Sequence, residues 1–266
     1  MINARTCATM SMVFFICSVM RAQVLNIEDP TASIDSLKVN DVKWGLGLNG
    51  NISRQSLFVY DASLLAEANY HRNDRHQVLL NAQYFRTGSN LGDLINGGFI
   101  FMRVTPEFHR KIAPQWVVQY QSDLGRGMKE RILTALNVRA EVFKNEKFAF
   151  QFISGAMLER ETWNLSGAID ASQGTRIREL VKSNNVLRFY KQIGSHAELS
   201  LVSYIQFPFS NPTSTFRVAN QLSFSFQLSK RFQFQFNLSS MYDTNPVIDI
   251  PNFYYTSATG MGFKRE

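Results

Sequence analysis

Fifteen ionisable residues share one side of a repeating pattern. Eight are acids (Asp61, Glu67, Glu107, Asp123, Glu141, Glu159, Glu161 and Glu198) and seven are bases (Arg103, Arg131, Arg139, Arg178, Lys182, Arg188 and Arg217). Nearly balanced charges on one face suit two kinds of chemistry. Around a water-filled space they line a pore and set its ion preference. In a narrow, poorly hydrated space they must pair, because an isolated buried charge is costly. The positions expected to line such a space are Glu67, Arg103, Glu107, Arg131, Arg139, Glu141, Glu159, Arg188 and Arg217. Phe85, Phe99 and Phe101 share their parity, which favours a salt-bridged plug or a narrow pore over a wide one.

Other chemistries find little support. The four histidines, His71, His76, His109 and His196, fall near turns, and none has a serine in a nucleophile context. His71 and His76 flank one hairpin, but two ligands without a nearby cysteine make no zinc site, so no metal or cofactor is expected. Gly97-Gly98 and Gly125-Arg126-Gly127 lack the strand-loop-helix setting of a phosphate loop. The bases are interspersed with acids, which argues against a nucleic acid partner. Basic residues in short turns (Arg75, Arg110, Lys111, Lys144, Lys147, Lys230 and Arg231) read as ordinary turn solubility. The chain is therefore expected to be non-enzymatic.

The elements that would carry these charges are strands. From Lys43 onward apolar residues recur at every second position until a polar turn interrupts. Phe216, Val218, Leu222, Phe224, Phe226 and Leu228 lie on one parity, with Thr215, Arg217, Gln221, Ser223, Ser225 and Gln227 on the other. Side chains of a strand alternate between two faces, so this period gives one apolar and one polar face. Twelve strands are expected, near 43–54, 58–72, 76–86, 96–108, 115–124, 131–143, 147–162, 177–191, 196–207, 215–228, 232–242 and 253–263. Glu179 interrupts the apolar parity of the eighth. Tight connections follow the even-numbered strands. Longer ones (87–95, 125–130, 163–176, 208–214 and 243–252) fall mostly between them, although the first, near Gln55 and Ser56, is short.

Composition agrees with strands of this kind. The chain has 266 residues, 45% apolar and 18% charged, a balance opposite to that of a disordered protein. A mean hydropathy of −0.16 argues against a bundle of membrane helices. Its 22 Phe coexist with that modest value because Gln, Ser, Asn and Arg alternate with them. Residues 1–22 read as a secretory signal peptide, with Arg5 ahead of the apolar run Met12 to Cys17 and Ala22 before the cut. Both cysteines, Cys7 and Cys17, lie within it, so the exported chain would have no disulfide or thiol chemistry. Residues 23–42 would form an N-terminal periplasmic extension and 43–266 the barrel.

Period-two strands build either a soluble barrel, apolar inside, or a membrane barrel, apolar outside. Three features favour the membrane: strands long enough to cross at a tilt, long apolar runs with few charges, and aromatics near strand ends. The last include Trp44, Tyr70, Tyr84, Trp116, Trp163, Tyr242 and Tyr255. The expected fold is an all-β transmembrane up-and-down antiparallel β-barrel of about 12 strands in a bacterial outer membrane.

The stretch Trp44-Gly45-Leu46-Gly47-Leu48-Asn49-Gly50-Asn51 resembles the outer-membrane family of unknown function 481, putative salt-induced outer membrane proteins. So do Tyr204-Ile205-Gln206-Phe207-Pro208 with Phe216-Arg217-Val218, and the closing Met241-Tyr242-Asp243-Thr244-Asn245-Pro246. The resemblance covers about 43–263; it implies an outer-membrane β-barrel and supplies no activity, ligand or catalytic residue. Such barrels usually end on an aromatic read by the assembly machinery, whereas here Phe263 is followed by Lys264-Arg265-Glu266. The expected partners are outer-membrane lipid and, during biogenesis, the barrel-assembly machinery. The expected role is a narrow passive channel or a structural envelope component. The alternatives are an outer-membrane lipid-modifying enzyme and a soluble secreted β-barrel that binds a small apolar ligand.

Overall fold

Alternation on this scale leaves a segment no way to bury its apolar parity as a helix, and the segments form strands. The computed structural model describes residues 42–54, 58–72, 75–90, 92–164, 174–212, 215–229, 232–247 and 251–263. The expected signal peptide (1–22), almost all of the expected N-terminal extension (23–42) and the Lys264-Arg265-Glu266 tail lie outside the described residues. The strands are β1 (Val42–Arg54), β2 (Phe58–Arg72), β3 (His76–Ser89), β4 (Gly92–Pro106), β5 (Ile112–Asp123), β6 (Met128–Lys144), β7 (Phe148–Asn164), β8 (Thr175–Ile193), β9 (Ala197–Pro208), β10 (Arg217–Gln227), β11 (Phe232–Asp243) and β12 (Phe253–Phe263). They form one sheet in chain order, each antiparallel to its neighbours. Among the described residues β1 and β12 each pair on one side only, and no helix is long and apolar enough to cross a membrane.

The sheet curls far enough for distant strands to touch across its interior. A 3₁₀ turn (Leu124–Arg126) follows β5, and its Arg126 Nη1 donates to the Tyr254 hydroxyl of β12 at 3.1 Å. Arg178 Nη1 of β8 donates to the Asn245 carbonyl, beyond β11, at 2.9 Å. Gly127 closes the turn at φ 80°, a left-handed conformation that favours glycine.

Two elements depart from expectation. In place of a long 87–95 loop, β3 continues to Ser89 and β4 begins at Gly92, with a register shift between Thr87 and Gly88. Asp93 ties this end together. It accepts from the Tyr60 hydroxyl at 2.8 Å, from Arg86 Nε at 3.0 and 3.1 Å and from Asn96 Nδ2 at 3.3 Å. β8 is the longest strand, at 19 residues, despite Glu179. That carboxylate stands opposite Arg160 on β7, 3.4 Å from its Nε, so the charge that breaks the alternation is met across the pair.

Burial settles which parity is inside. Arg103, Arg131, Glu159, Glu161, Lys182, Arg188 and Arg217 are buried, together with Gln77, Gln119, Gln121 and Gln206. Leu48 (82% exposed) and Leu136 (70%) face out, with Leu46, Ile100, Val138 and Leu158. The sheet is thus polar within and apolar without, the reverse of a soluble barrel. Polar groups on the outer face satisfy one another: Ser154 Oγ donates to Asn185 Oδ1 and Ser203 Oγ to Asn220 Oδ1, each at 2.7 Å.

β6 and β7 approach closely at Gly155, where a Cβ would stand 2.0 Å from the Leu136 carbonyl oxygen and 2.6 Å from Asn137 Cα. Backbone cannot swing away as a flexible side chain can. Gly155→Ala is therefore expected to destabilise at the upper end of the roughly 1–3 kcal/mol that overpacking costs. The check is the urea midpoint of the folded, heat-modifiable band in detergent; an unchanged midpoint would contradict the close approach.

Candidate functional site

Antiparallel pairing places charges from successive strands side by side on the inner face. Register sets Arg131 of β6 opposite Glu161 of β7, Glu161 opposite Arg178 of β8, and Arg217 of β10 opposite Asp243 of β11. Curling then closes these pairs into a cluster. Glu159 accepts from Arg131 (Nε 2.7 Å, Nη2 2.5 Å), from Lys182 Nζ and from Arg217 Nη1 at 3.3 Å. Glu161 accepts from Arg178 (Nη2 2.6 Å, Nε 3.0 Å), from Arg217 Nη1 at 3.2 Å and from the Trp163 indole at 3.2 Å. Asp243 accepts from Arg217 Nη2 at 2.8 Å and from the Asn245 amide at 3.0 Å.

The burial of this cluster decides what it can do. Lys182 is 0% exposed, Arg131 and Glu161 1%, and Glu159 3%. Withdrawing each ion from water costs several kcal/mol, which only close partners and additional hydrogen bonds offset. Guanidinium groups suit this task, since a planar fork can serve two carboxylates at once, as Arg217 does with Glu161 and Asp243. Groups so fully engaged with each other are poor acids, bases or ion ligands. The cluster is a buried network of ion pairs reaching from β6 to β11.

A cavity lies on each side of it. Towards the long loops, a small cavity of about 30 Å³ is walled by Met128, Trp163, Met241, Val247 and Tyr254, with Arg131, Glu161, Arg217 and Asp243 at its edge. Arg126 also reaches it and bonds the Asp123 carboxylate at 2.6 Å. Burial works against the Arg126 charge, but Asp123 and the Tyr254 hydroxyl outweigh it and hold its pKa above the ordinary guanidinium value. Towards the short turns, a second cavity of about 30 Å³ is lined by Phe101, Val117, Leu133, Met157, Val186 and Tyr204, interspersed with Gln115, Gln119, Asn137, Asn184, Gln206 and Arg188.

The nine positions singled out in the sequence divide three ways. Arg131, Glu159 and Arg217 meet in the cluster. Arg103, Arg139 and Arg188 are buried nearer the short turns; Arg103 Nη2 donates to Gln77 Oε1 at 3.5 Å. Arg139 Nη2 clamps the β4–β5 turn through the carbonyls of Phe108 (2.6 Å) and Arg110 (2.7 Å) and lies over the Phe108 ring at 4.8 Å. The remaining three do not join them. Glu67 is exposed, with its carboxylate beside Gly45 on the sparsely covered β1–β2 pair. Glu141 is half-buried and pairs with Lys144 at 3.6 Å. Glu107 lies past the end of β4, in the turn, where its φ of 51° shows that the strand has ended; it pairs with Arg110 at 3.2 Å.

Lys182, Arg178 and Glu161 complete the cluster from the polar parity, and Asp243 joins it from a strand end that drew no attention as sequence. For Asp243 the signal is register: counting outwards from Gln227 and Gln233 sets it opposite Arg217, whereas Arg131 meets Glu161 only because the register shifts between Glu141 and Phe143. Of the histidines, His71 packs buried against Phe108 at 5.1 Å, and exposed His196 Nδ1 lies 2.6 Å from the neighbouring Ser195 hydroxyl. Among the described residues no group of three His, Cys, Asp or Glu is placed to hold a metal.

The family described as "Protein of unknown function, DUF481" has a model that matches residues 49–264. The chain belongs to that family. Its description assigns DUF481 members no activity. No curated protein matches the chain. Among solved structures this DUF481 chain is similar to the CymD monoaromatic hydrocarbon channel, at 11% identity and a TM-score of 0.41, over 84% of this chain and 80% of that one.

Proposed function

We propose that this DUF481 protein is a non-enzymatic β-barrel of a bacterial outer membrane, whose interior admits at most a narrow passive path. The observation that carries the reading is the inversion of faces: arginine, lysine, glutamate and glutamine inside, leucine, isoleucine and valine outside. Hydrocarbon rewards that arrangement and water penalises it. The same inversion speaks against a soluble barrel with an apolar ligand inside. Short turns after the even-numbered strands and longer loops at β7–β8, β9–β10 and β11–β12 suit periplasmic and outer ends respectively. Outer-membrane lipid and the assembly machinery are the partners this reading requires, and the buried ion-pair cluster makes a structural envelope role as natural as conduction.

Cell fractionation with a heat-modifiability gel tests the reading. Recovery in the outer membrane, with a mobility shift on boiling, is expected; recovery in the soluble periplasm without a shift would overturn it. In planar bilayers the purified protein is expected to show weak or no conductance, because buried ion pairs from β6, β7, β8 and β10 meet in its interior. Large, stable, porin-like steps would show that the cluster leaves a wide path open.

A further inference from the structure

The inner wall is filled on one side only. From β4 to β9 its inward side chains are packed: Phe101, Gln119, Leu133, Ile153, Val186 and Val202 are all buried. The inward residues at the two ends of the sheet are open instead. Gln235 of β11 and Asn49 and Asn51 of β1 are exposed, and Asn237, Ser239 and Thr256 are half-buried. Register places them on the inner face. Ser239 shares the parity of buried Asp243 and pairs with Thr256; Asn49 pairs with Ser63, which shares the parity of buried Asn69.

This open part differs from the filled part in size and in charge. Ala258 and Gly260 of β12 and Gly45 and Gly47 of β1 fall at inward positions, so little side chain projects there. Every inward position from Ala219 to Gln227, Gln233 to Met241, Tyr254 to Gly260 and Gly45 to Ser53 is uncharged. Hydroxyls and carboxamides both donate and accept, so they can stand in for the water around a hydroxylated solute. On these four strands an ion meets no opposite charge to offset its lost hydration. Neighbouring β2 turns two acids inward, Asp61 and Glu67, which repel anions. A bilayer tolerates no unpaired sheet edge, and closure brings the two open ends side by side.

We propose that the barrel passes small, neutral, hydroxylated solutes in preference to anions, along an off-centre path bounded by β11, β12, β1 and β2. The proposal rests on the reading of the chain as an outer-membrane barrel with a narrow path, and gives that path a place and a solute class. Neutral solutes carry no current, so the path agrees with weak conductance.

The test uses the full chain with Cys7→Ser and Cys17→Ser, reconstituted in lipid vesicles. Labelled erythritol should enter severalfold faster than into protein-free vesicles. Labelled erythronate, the same skeleton with a carboxylate, should enter severalfold more slowly than erythritol. Cysteines then locate the path. Ser239→Cys and Asn49→Cys should react with a membrane-impermeant methanethiosulfonate, and reaction at position 239 should return erythritol entry to the protein-free rate. Val202→Cys, fully buried on the filled side, should not react. Should Ser239→Cys give no heat-modifiable band, Thr256→Cys, which faces it, serves in its place. Erythritol entry no faster than without protein, erythronate as fast as erythritol, equal reaction at positions 239 and 202, or reaction at 239 without effect on entry would each overturn the path. Failure of the barrel reading is a separate result, seen as a soluble protein without a heat shift.

Discussion

Glu159→Ala is expected to destabilise the folded protein by about 3–5 kcal/mol, the range for removing one partner from a buried ion pair. The reason is what remains. Arg131, Lys182 and Arg217 all donate to the Glu159 carboxylate, and each is buried. Without it, Lys182 loses its ion-pair partner, and Arg131 and Arg217 are left to share Glu161 and Asp243, the first of which Arg178 also engages. The sign reverses once charge is removed evenly. Glu159→Gln combined with Lys182→Met deletes one charge of each kind and spares two desolvation costs, so the double variant should keep most of the stability that Glu159→Ala loses. Urea titration of the heat-shifted band measures both. A Glu159→Ala midpoint equal to that of the unaltered protein would mean that water reaches the cluster and screens it.

Leu136→Arg should be nearly as damaging, for a reason on the opposite face. Leu136 sits midway along β6, is 70% exposed, and lies between Trp116 and Ala156 in the register. On a water-facing surface such a change falls within about 0.5 kcal/mol. At the midplane of a bilayer an outward arginine costs about 2–4 kcal/mol. Leu228, also outward but just past the end of β10, provides the control: Leu228→Arg should cost only about 0–1 kcal/mol, as expected near an interface. Folding yield into lipid vesicles reads the difference. Equal tolerance at the two positions would place the apolar wall in water.

Much of this was legible in the chain because strand parity is local. Phe232 to Leu238 shows its two faces without reference to any other segment, and so do most of the twelve strands. Parity could not say which face is inside; that depends on the direction of curl, a property of the whole sheet. Glu107 was misplaced because alternation continues through Thr105 to the turn, while a left-handed backbone at Glu107 ends the strand. Asp93 was hidden among apparent loop residues because its role depends on Tyr60 and Arg86, which reach it from β2 and β3. Within the site, residues paired directly across a regular hairpin, such as Arg217 and Asp243, follow from counting. Contacts across the interior do not. Arg217 meets Glu161 across a sequence separation of 56, and no local pattern encodes that approach.

The two terminal strands carry an obligation that the other ten do not. Among the described residues every inner strand gives its main-chain N–H and C=O groups to neighbours on both sides; β1 and β12 give theirs on one. Hydrocarbon offers such groups nothing, at a cost of several kcal/mol for each one left over. A sheet that rests in lipid must therefore join these strands into a seam. Its outer side would carry Trp44, Leu46, Leu48 and Ile52 from β1 and Phe253, Tyr255 and Met261 from β12, a band fit to lie against lipid. Main-chain bonds would close the line behind that band, and with them the last unmet polar groups of the sheet.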